Sequence, residues 1–117
     1  PPIAFLDAQI KDGKIDVLNG KIQFDFPRNT KPSNGTKIRL GIRPEHYQPN
    51  NPIQIPGNIS FVETQGRENL YDVQLEDGSI LRSIQSSAVG TIEKNSQVGW
   101  GVQPDQLLIF DQAGNCI

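Results

Sequence analysis

Pro44 ends an alternating run, and this break narrows the possible folds more than any other feature. Ile38, Leu40 and Ile42 alternate with Lys37, Arg39, Gly41 and Arg43. A period of two predicts a half-buried β-strand over about residues 37–43. Pro44 has no N–H to give to a ladder and holds φ near one value, so the strand must stop there. The same proline can open a helical turn, and Glu45 then sits where the positive end of that turn favours a carboxylate. The stretch predicts a strand that breaks sharply into a short turn. No reaction follows from it.

The rest of the chain uses the same grammar. Asp12-Gly13 and Asn19-Gly20 are dipeptides that favour two-residue hairpin turns, which need φ > 0. Around them, Lys14–Leu18 and Lys21–Phe26 alternate, and Ile15, Val17, Ile22, Phe24 and Phe26 are expected to face one core. This predicts a three-stranded meander over about residues 8–26. Residues 27–36 and 48–52 are rich in turn formers and read as loops. Ile59–Glu63 reads as a strand, and Tyr71, Val73 and Leu75 mark another. Asp77-Gly78 predicts a third hairpin turn, leading into Ser79–Ile84. Gln97–Val102 reads as one strand with Val98, Trp100 and Val102 on one face, and Leu107–Phe110 closes the chain. Eight or nine short strands at this spacing predict an all-β barrel or sandwich. No segment has helical periodicity beyond a turn or two, and no strict internal repeat stands out.

A chain of 117 residues suits one domain. Folding at that length buries roughly two-thirds of the unfolded surface, enough for a core without covalent staples. The net charge of −2 argues against a nucleic-acid footprint or a basic membrane-surface patch. No apolar run approaches the ~20 residues that span a bilayer. Cys116 is the only cysteine, so no internal disulfide can form.

The motifs of common chemistries are missing. Neither a Gly-x-x-x-x-Gly-Lys-Ser/Thr loop nor a Gly-x-Gly-x-x-Gly fingerprint is present. His46 is the only histidine, which rules out a histidine-based zinc cage. A serine triad would have to use His46, and no serine lies in a nucleophile elbow. His46 therefore reads as a structural or surface histidine. Asp72, Glu76 and Asp77 read as a solvated strand face ending in an acidic turn rather than an acid–base pair. Trp100, between Gly99 and Gly101, could stack on a sugar but reads better as a core residue. Phe61 and Tyr71 could stack on bases only beside a positive groove, which the charge balance disfavours.

Four segments carry a resemblance. Gly41-Ile42-Arg43-Pro44-Glu45-His46 is similar to the Gly-Ile-Arg-Pro-Glu-His signature of the C-terminal regulatory domain of ABC-importer ATPase subunits, the maltose-transporter type above all. Pro1–Leu6 resembles the Ser-Pro-x-Met-Asn-Phe-Leu joint that follows that family's nucleotide-binding domain, with Ile3-Ala4 in place of Met-Asn. Gly57–Gly66 resembles its Gly-x-Val-x-x-Val-Glu-x-Leu-Gly segment, with Gln65 for Leu. Leu107–Asp111 resembles its closing His-Leu-Phe-Asp segment. The four occur in family order and span nearly the whole chain.

The resemblance implies an OB-fold-like Greek-key barrel with additional packed strands, the transport-associated OB domain, over residues 1–117 of a longer protein. It implies no cofactor in this stretch, with ATP and Mg²⁺ held by an ATPase domain elsewhere in the parent chain. It implies a location at the cytoplasmic face of the membrane. The implied partners are a second copy of the chain, permease subunits reached through the parent chain, and in some members a regulatory protein. No nucleic-acid partner is implied. Matched by motif, Phe5, Gly35 and Gly41 correspond to a surface that members offer to a regulator. As glycines, Gly35 and Gly41 also suit tight turns and barrel packing. Arg43, Pro44, Glu45 and His46 are the signature and read as structural. Two other readings stay open: an oxyanion-binding OB-type module of the molybdate kind, and a carbohydrate-binding module using Trp100.

Overall fold

The structure, a computed structural model, describes residues 3–117. The Pro1-Pro2 start of the joint lies outside the described residues. In chain order the strands are β1 (Ala4–Lys11), β2 (Lys14–Val17), β3 (Ile22–Asp25), β4 (Lys37–Ile42), β5 (Ile53–Gln54), β6 (Gly57–Gln65), β7 (Glu68–Gln74), β8 (Ile80–Ser86), β9 (Gln97–Val98), β10 (Gly101–Val102) and β11 (Leu108–Phe110). Three short 3-10 turns, Pro44–His46, Ser87–Val89 and Pro104–Gln106, are the helical segments among the described residues. The strands form a five-stranded sheet of order β11-β4-β1-β2-β3, a four-stranded sheet of order β8-β7-β6-β9, and a β10-β5 ribbon. The fold is all-β with curled sheets, as the strand spacing predicts, and forms an OB-fold barrel with additional strands, as the resemblance implies.

Local chemistry explains the hairpins. Asp12 and Gly13 both take positive φ, 53° and 78°, and join Lys11 to Lys14 in a two-residue turn. The Asn19-Gly20 turn is longer than expected. The β2–β3 ladder opens at Val17–Ile22, and Leu18, Asn19 and Gly20 all take positive φ. The widened loop carries Lys21 to an ion pair with Glu76. Asp77-Gly78 likewise sits in a loop between Gln74 and Ile80. There the Asp77 carboxylate accepts from Ser79 N at 2.9 Å.

Ile15, Val17 and Phe26 are buried, and Ile22 and Phe24, on the edge strand β3, pack half-buried against the same core, as expected. Two expectations are corrected. The meander begins at Ala4, because β1 pairs with β4 over Ala4–Gln9 as well as with β2 over Ala8–Lys11. Residues 97–102 do not form one strand: Gln97-Val98 pairs with β6, and Gly101-Val102 pairs with β5. Gly99-Trp100 bridges the two, and the crossover turns Trp100 into the core.

The break at Pro44 is as expected. Arg43 is extended, at φ −75° and ψ 143°, and the 3-10 turn starts at once. The device recurs. Gly101-Val102-Gln103-Pro104-Asp105-Gln106 repeats the grammar of Gly41–His46, with Gln103 extended before a second 3-10 turn. Each turn is followed by a buried apolar residue, Tyr47 or Leu107. The two stretches match in pattern rather than in residue identity.

The core meets on three rings. Trp100 lies edge-on to Tyr47, with centroids 6.0 Å apart, and to Tyr71 at 5.2 Å. Tyr47 follows β4 of the first sheet and Tyr71 belongs to the second, so Trp100 ties the two together. Such pairs add roughly 0.5–1.5 kcal/mol each beyond their buried area.

Gly101 permits the crossover, since a Cβ there would press into the backbone of Ile53 and Asn51. Gly101→Ala should lower stability by about 1–3 kcal/mol through overpacking. Thermal melting should register this as a fall of several degrees. Gly99→Ala, whose Cβ would meet only Gln54 Oε1 at 3.6 Å, should melt close to the parent.

Candidate functional site

On the outer face of the five-stranded sheet, β1, β4 and β11 bring an aromatic and cationic group together. Phe5 stands opposite Gly41, which stands opposite Leu108; Asp7, Arg39 and Phe110 form the adjacent row. Phe5 is 44% exposed. The Arg39 guanidinium lies 4.3 Å from the centre of its ring, and Phe110 meets that ring edge-on at 5.8 Å. Arg39 Nε is 3.9 Å from the Asp7 carboxylate, and both side chains are exposed. A stacked guanidinium keeps its outward N–H groups free for an anionic or carbonyl partner.

The three candidate residues do not form one patch. Phe5 and Gly41 are cross-strand neighbours. Gly35 lies beyond the other end of β4, about 20 Å away by strand rise. Gly41 is buried beneath Ile3, Leu108 and Phe110, whose side chains would crowd a Cβ at 3.1–3.2 Å. Its lack of a side chain serves packing, and a partner approaching there meets Phe5, Arg39 and Phe110. Gly35 takes φ 85° and donates to Ile10 O at 2.7 Å, closing the loop onto β1. Reasoning from motif missed Arg39, whose alternation with Leu40 had already placed it outward.

The signature residues form a joint. Pro44 is buried at the first position of the 3-10 turn, Arg43 and Glu45 are exposed, and His46 N donates to Arg43 O at 2.9 Å. His46 Nδ1 is buried without a hydrogen-bond partner, so nothing prepares the ring as a general base. The tighter structure is at Tyr47. Its hydroxyl donates to Ile55 O, and Ser83 Oγ donates to Tyr47 O. Gln48 Nε2 adds a bond to Ile84 O at 2.7 Å. These bonds clamp the turn onto β8.

The remaining candidates lie elsewhere. Trp100 is buried, so its ring has no face to offer a sugar. Tyr71 is fully buried and Phe61 is exposed, so they cannot form one stacking platform. Asp72 pairs with Arg82 and Glu76 with Lys21. A cavity of about 410 Å³ is lined by Asp7, Asp16 and Asp77 with Lys37 as its cation. Asp16 is buried and accepts from Gln9 and Gln23 amides at 3.1 Å. This lining suits an oxyanion poorly. Among the described residues, no group of three or more His, Cys, Asp or Glu side chains is placed to hold a metal.

A family model described as TOBE domain matches residues 40–110, more than half of the chain. The chain belongs to the TOBE domain family. A second model, described as MalK OB fold domain, matches residues 1–47, so the two overlap on the signature strand and turn. Together they identify a TOBE/OB regulatory-type domain of the MalK kind. Among solved structures, the domain is similar to the cytoplasmic molybdate-binding protein ModG, crystallised from PEG with molybdate bound. The TM-score is 0.69 at 10% identity, covering 90% of this chain and 93% of that one. At that identity the likeness is one of fold. No curated protein matches the chain.

Burial pushes the Tyr47 phenol well above its usual range. An unfolded phenol ionises near pH 10, while the folded one keeps its proton. The stability this contributes is present below about pH 10 and is lost as pH rises through the raised folded value. Tyr47→Phe should cost about 1–3 kcal/mol at neutral pH by leaving Ile55 O unpaired. It should also flatten the alkaline fall in stability. Urea unfolding from neutral to high pH measures both effects.

Proposed function

We propose that this TOBE domain is the C-terminal regulatory and dimerisation domain of the ATP-binding subunit of an ABC importer for sugars or related solutes. The reading rests on the two family matches, which run head to tail over residues 1–47 and 40–110 and join at the signature turn. In such a subunit the domain is non-catalytic. ATP and Mg²⁺ belong to the ATPase domain of the parent chain, and permease subunits are reached through that domain. The protein then works at the cytoplasmic face of the membrane. The domain's task there is to hold two subunits together while the nucleotide sites open and close. The Phe5–Arg39–Phe110 patch offers an exposed surface on which a regulatory protein could read that state.

The likeness to a molybdate-binding protein favours one other reading, an oxyanion-binding module. The carboxylate-rich lining of the cavity beside Asp7, Asp16 and Asp77 weighs against it within a single chain. Calorimetric titration with molybdate and tungstate separates the two. The importer reading expects no binding at micromolar concentration, and micromolar affinity would overturn it. The reading frame upstream of Pro1 is the second check. A Gly-x-x-x-x-Gly-Lys-Ser/Thr loop about two hundred residues earlier is expected on the scale of one further domain.

A further inference from the structure

Four Asp-Gly or Asn-Gly pairs punctuate the chain: Asp12-Gly13, Asn19-Gly20, Asn34-Gly35 and Asp77-Gly78. In each, the glycine takes a positive φ, between 78° and 88°. A glycine shields its own amide nitrogen least, since it has no side chain. That nitrogen can attack the side-chain carbonyl carbon of the residue before it and close a succinimide ring. Two things must be free for this: the glycine N–H, which loses its proton, and the side chain, which must turn toward it.

Three of the four pairs are locked. Gly13 N donates to Asn34 Oδ1 at 3.1 Å, Gly35 N to Ile10 O at 2.7 Å, and Gly78 N to Leu75 O at 3.0 Å. Side chains are held as well. Asn34 is the acceptor for Gly13 N, and the Asp77 carboxylate accepts from Ser79 N. Asn19-Gly20 lacks both restraints. It lies in the loop beyond the end of the β2–β3 ladder at Val17–Ile22. Among the described residues, neither the Gly20 N–H nor the Asn19 carboxamide has a hydrogen-bond partner within the chain. Solvent access does not separate the two Asn-Gly pairs, because Asn19, Gly20, Asn34 and Gly35 are all exposed. Hydrogen bonding does.

We propose that Asn19 is a modification site, deamidating spontaneously through a succinimide, while the fold protects Asn34. The Gly20 nitrogen bonds to Asn19 Cγ and gives up its proton to solvent. The side-chain nitrogen takes a proton from solvent and leaves as ammonia. Water then adds to one of the two ring carbonyls. Opening on one side leaves aspartate. Opening on the other leaves isoaspartate, with the backbone running through the former side chain. Water is consumed and ammonia released, and nothing is oxidised or reduced.

The place of the new carboxylate gives the change its consequence. Asn19 lines the cavity that holds Asp7, Asp16 and Asp77 with Lys37 as its cation. Asp16 is buried beside Gly20, its Oδ1 3.7 Å from the place a Gly20 Cβ would take. A further carboxylate at the rim meets like charge, which disfavours its ionised form and the native turn together. Lys21, the next cation along the chain, is already paired with Glu76.

Incubation of the native 117-residue chain at mildly alkaline pH, followed by proteolysis and tandem mass spectrometry, reads each asparagine separately. Asn19 should convert to aspartate and isoaspartate at least about tenfold faster than Asn34, where two hydrogen bonds must break first. In urea, where neither pair is held, the two should convert at similar rates. Equal rates in the native chain overturn the proposal, as does a preference for Asn19 that persists unchanged in urea. So does an Asn19 that keeps its amide while the unfolded chain loses its own. Asn19→Asp supplies the charge without the lengthened backbone. It should melt below the parent at low salt and approach it as salt is raised. An unchanged melting temperature at low salt, or a deficit that salt leaves untouched, overturns the charge effect.

Discussion

The fold depends on one buried residue, Tyr47, and on what it holds. Its ring meets Trp100, its hydroxyl reaches Ile55 O, and its carbonyl accepts from Ser83 on β8. A buried phenol without an acceptor would cost about 1–3 kcal/mol, so the partner at Ile55 is what favours a tyrosine there. Tyr47 can reach these groups only because Pro44 ends β4 abruptly and the 3-10 turn redirects the chain. The clamp therefore joins a local event, the end of a strand, to a long-range one, the docking of two sheets.

Glycine does the complementary work. Gly41 lies under Phe110 and Leu108, and Gly101 lies against the backbone of Ile53. Both precede a Pro-initiated 3-10 turn, so the same device is used twice to end a strand beside crowded neighbours. The first copy leaves Phe5 and Arg39 exposed above a tightly packed floor. The second delivers Trp100 to the core. Surfaces supported in this way are tightly packed from beneath.

The two outer faces are unlike. One bears a stacked guanidinium and two aromatic rings; the other bears an internally neutral Asp–Arg pair among aliphatic side chains.

Much of this was legible in the sequence. Alternation placed most strands, the chemistry of proline placed the break at Pro44, and Asp12-Gly13 specified its own turn, because each of these is a property of a few neighbouring residues. The signature motif pointed to the family, which the two matches bear out. The sequence did not say that β1 pairs with β4, that residues 97–102 divide between two partners, or that Gly41 is covered. It also did not reveal the register that sets Asp72 against Arg82. Strand pairing between distant segments is decided by which arrangement buries the most apolar surface while satisfying the backbone. That choice belongs to the whole chain, so only the tertiary structure could make it.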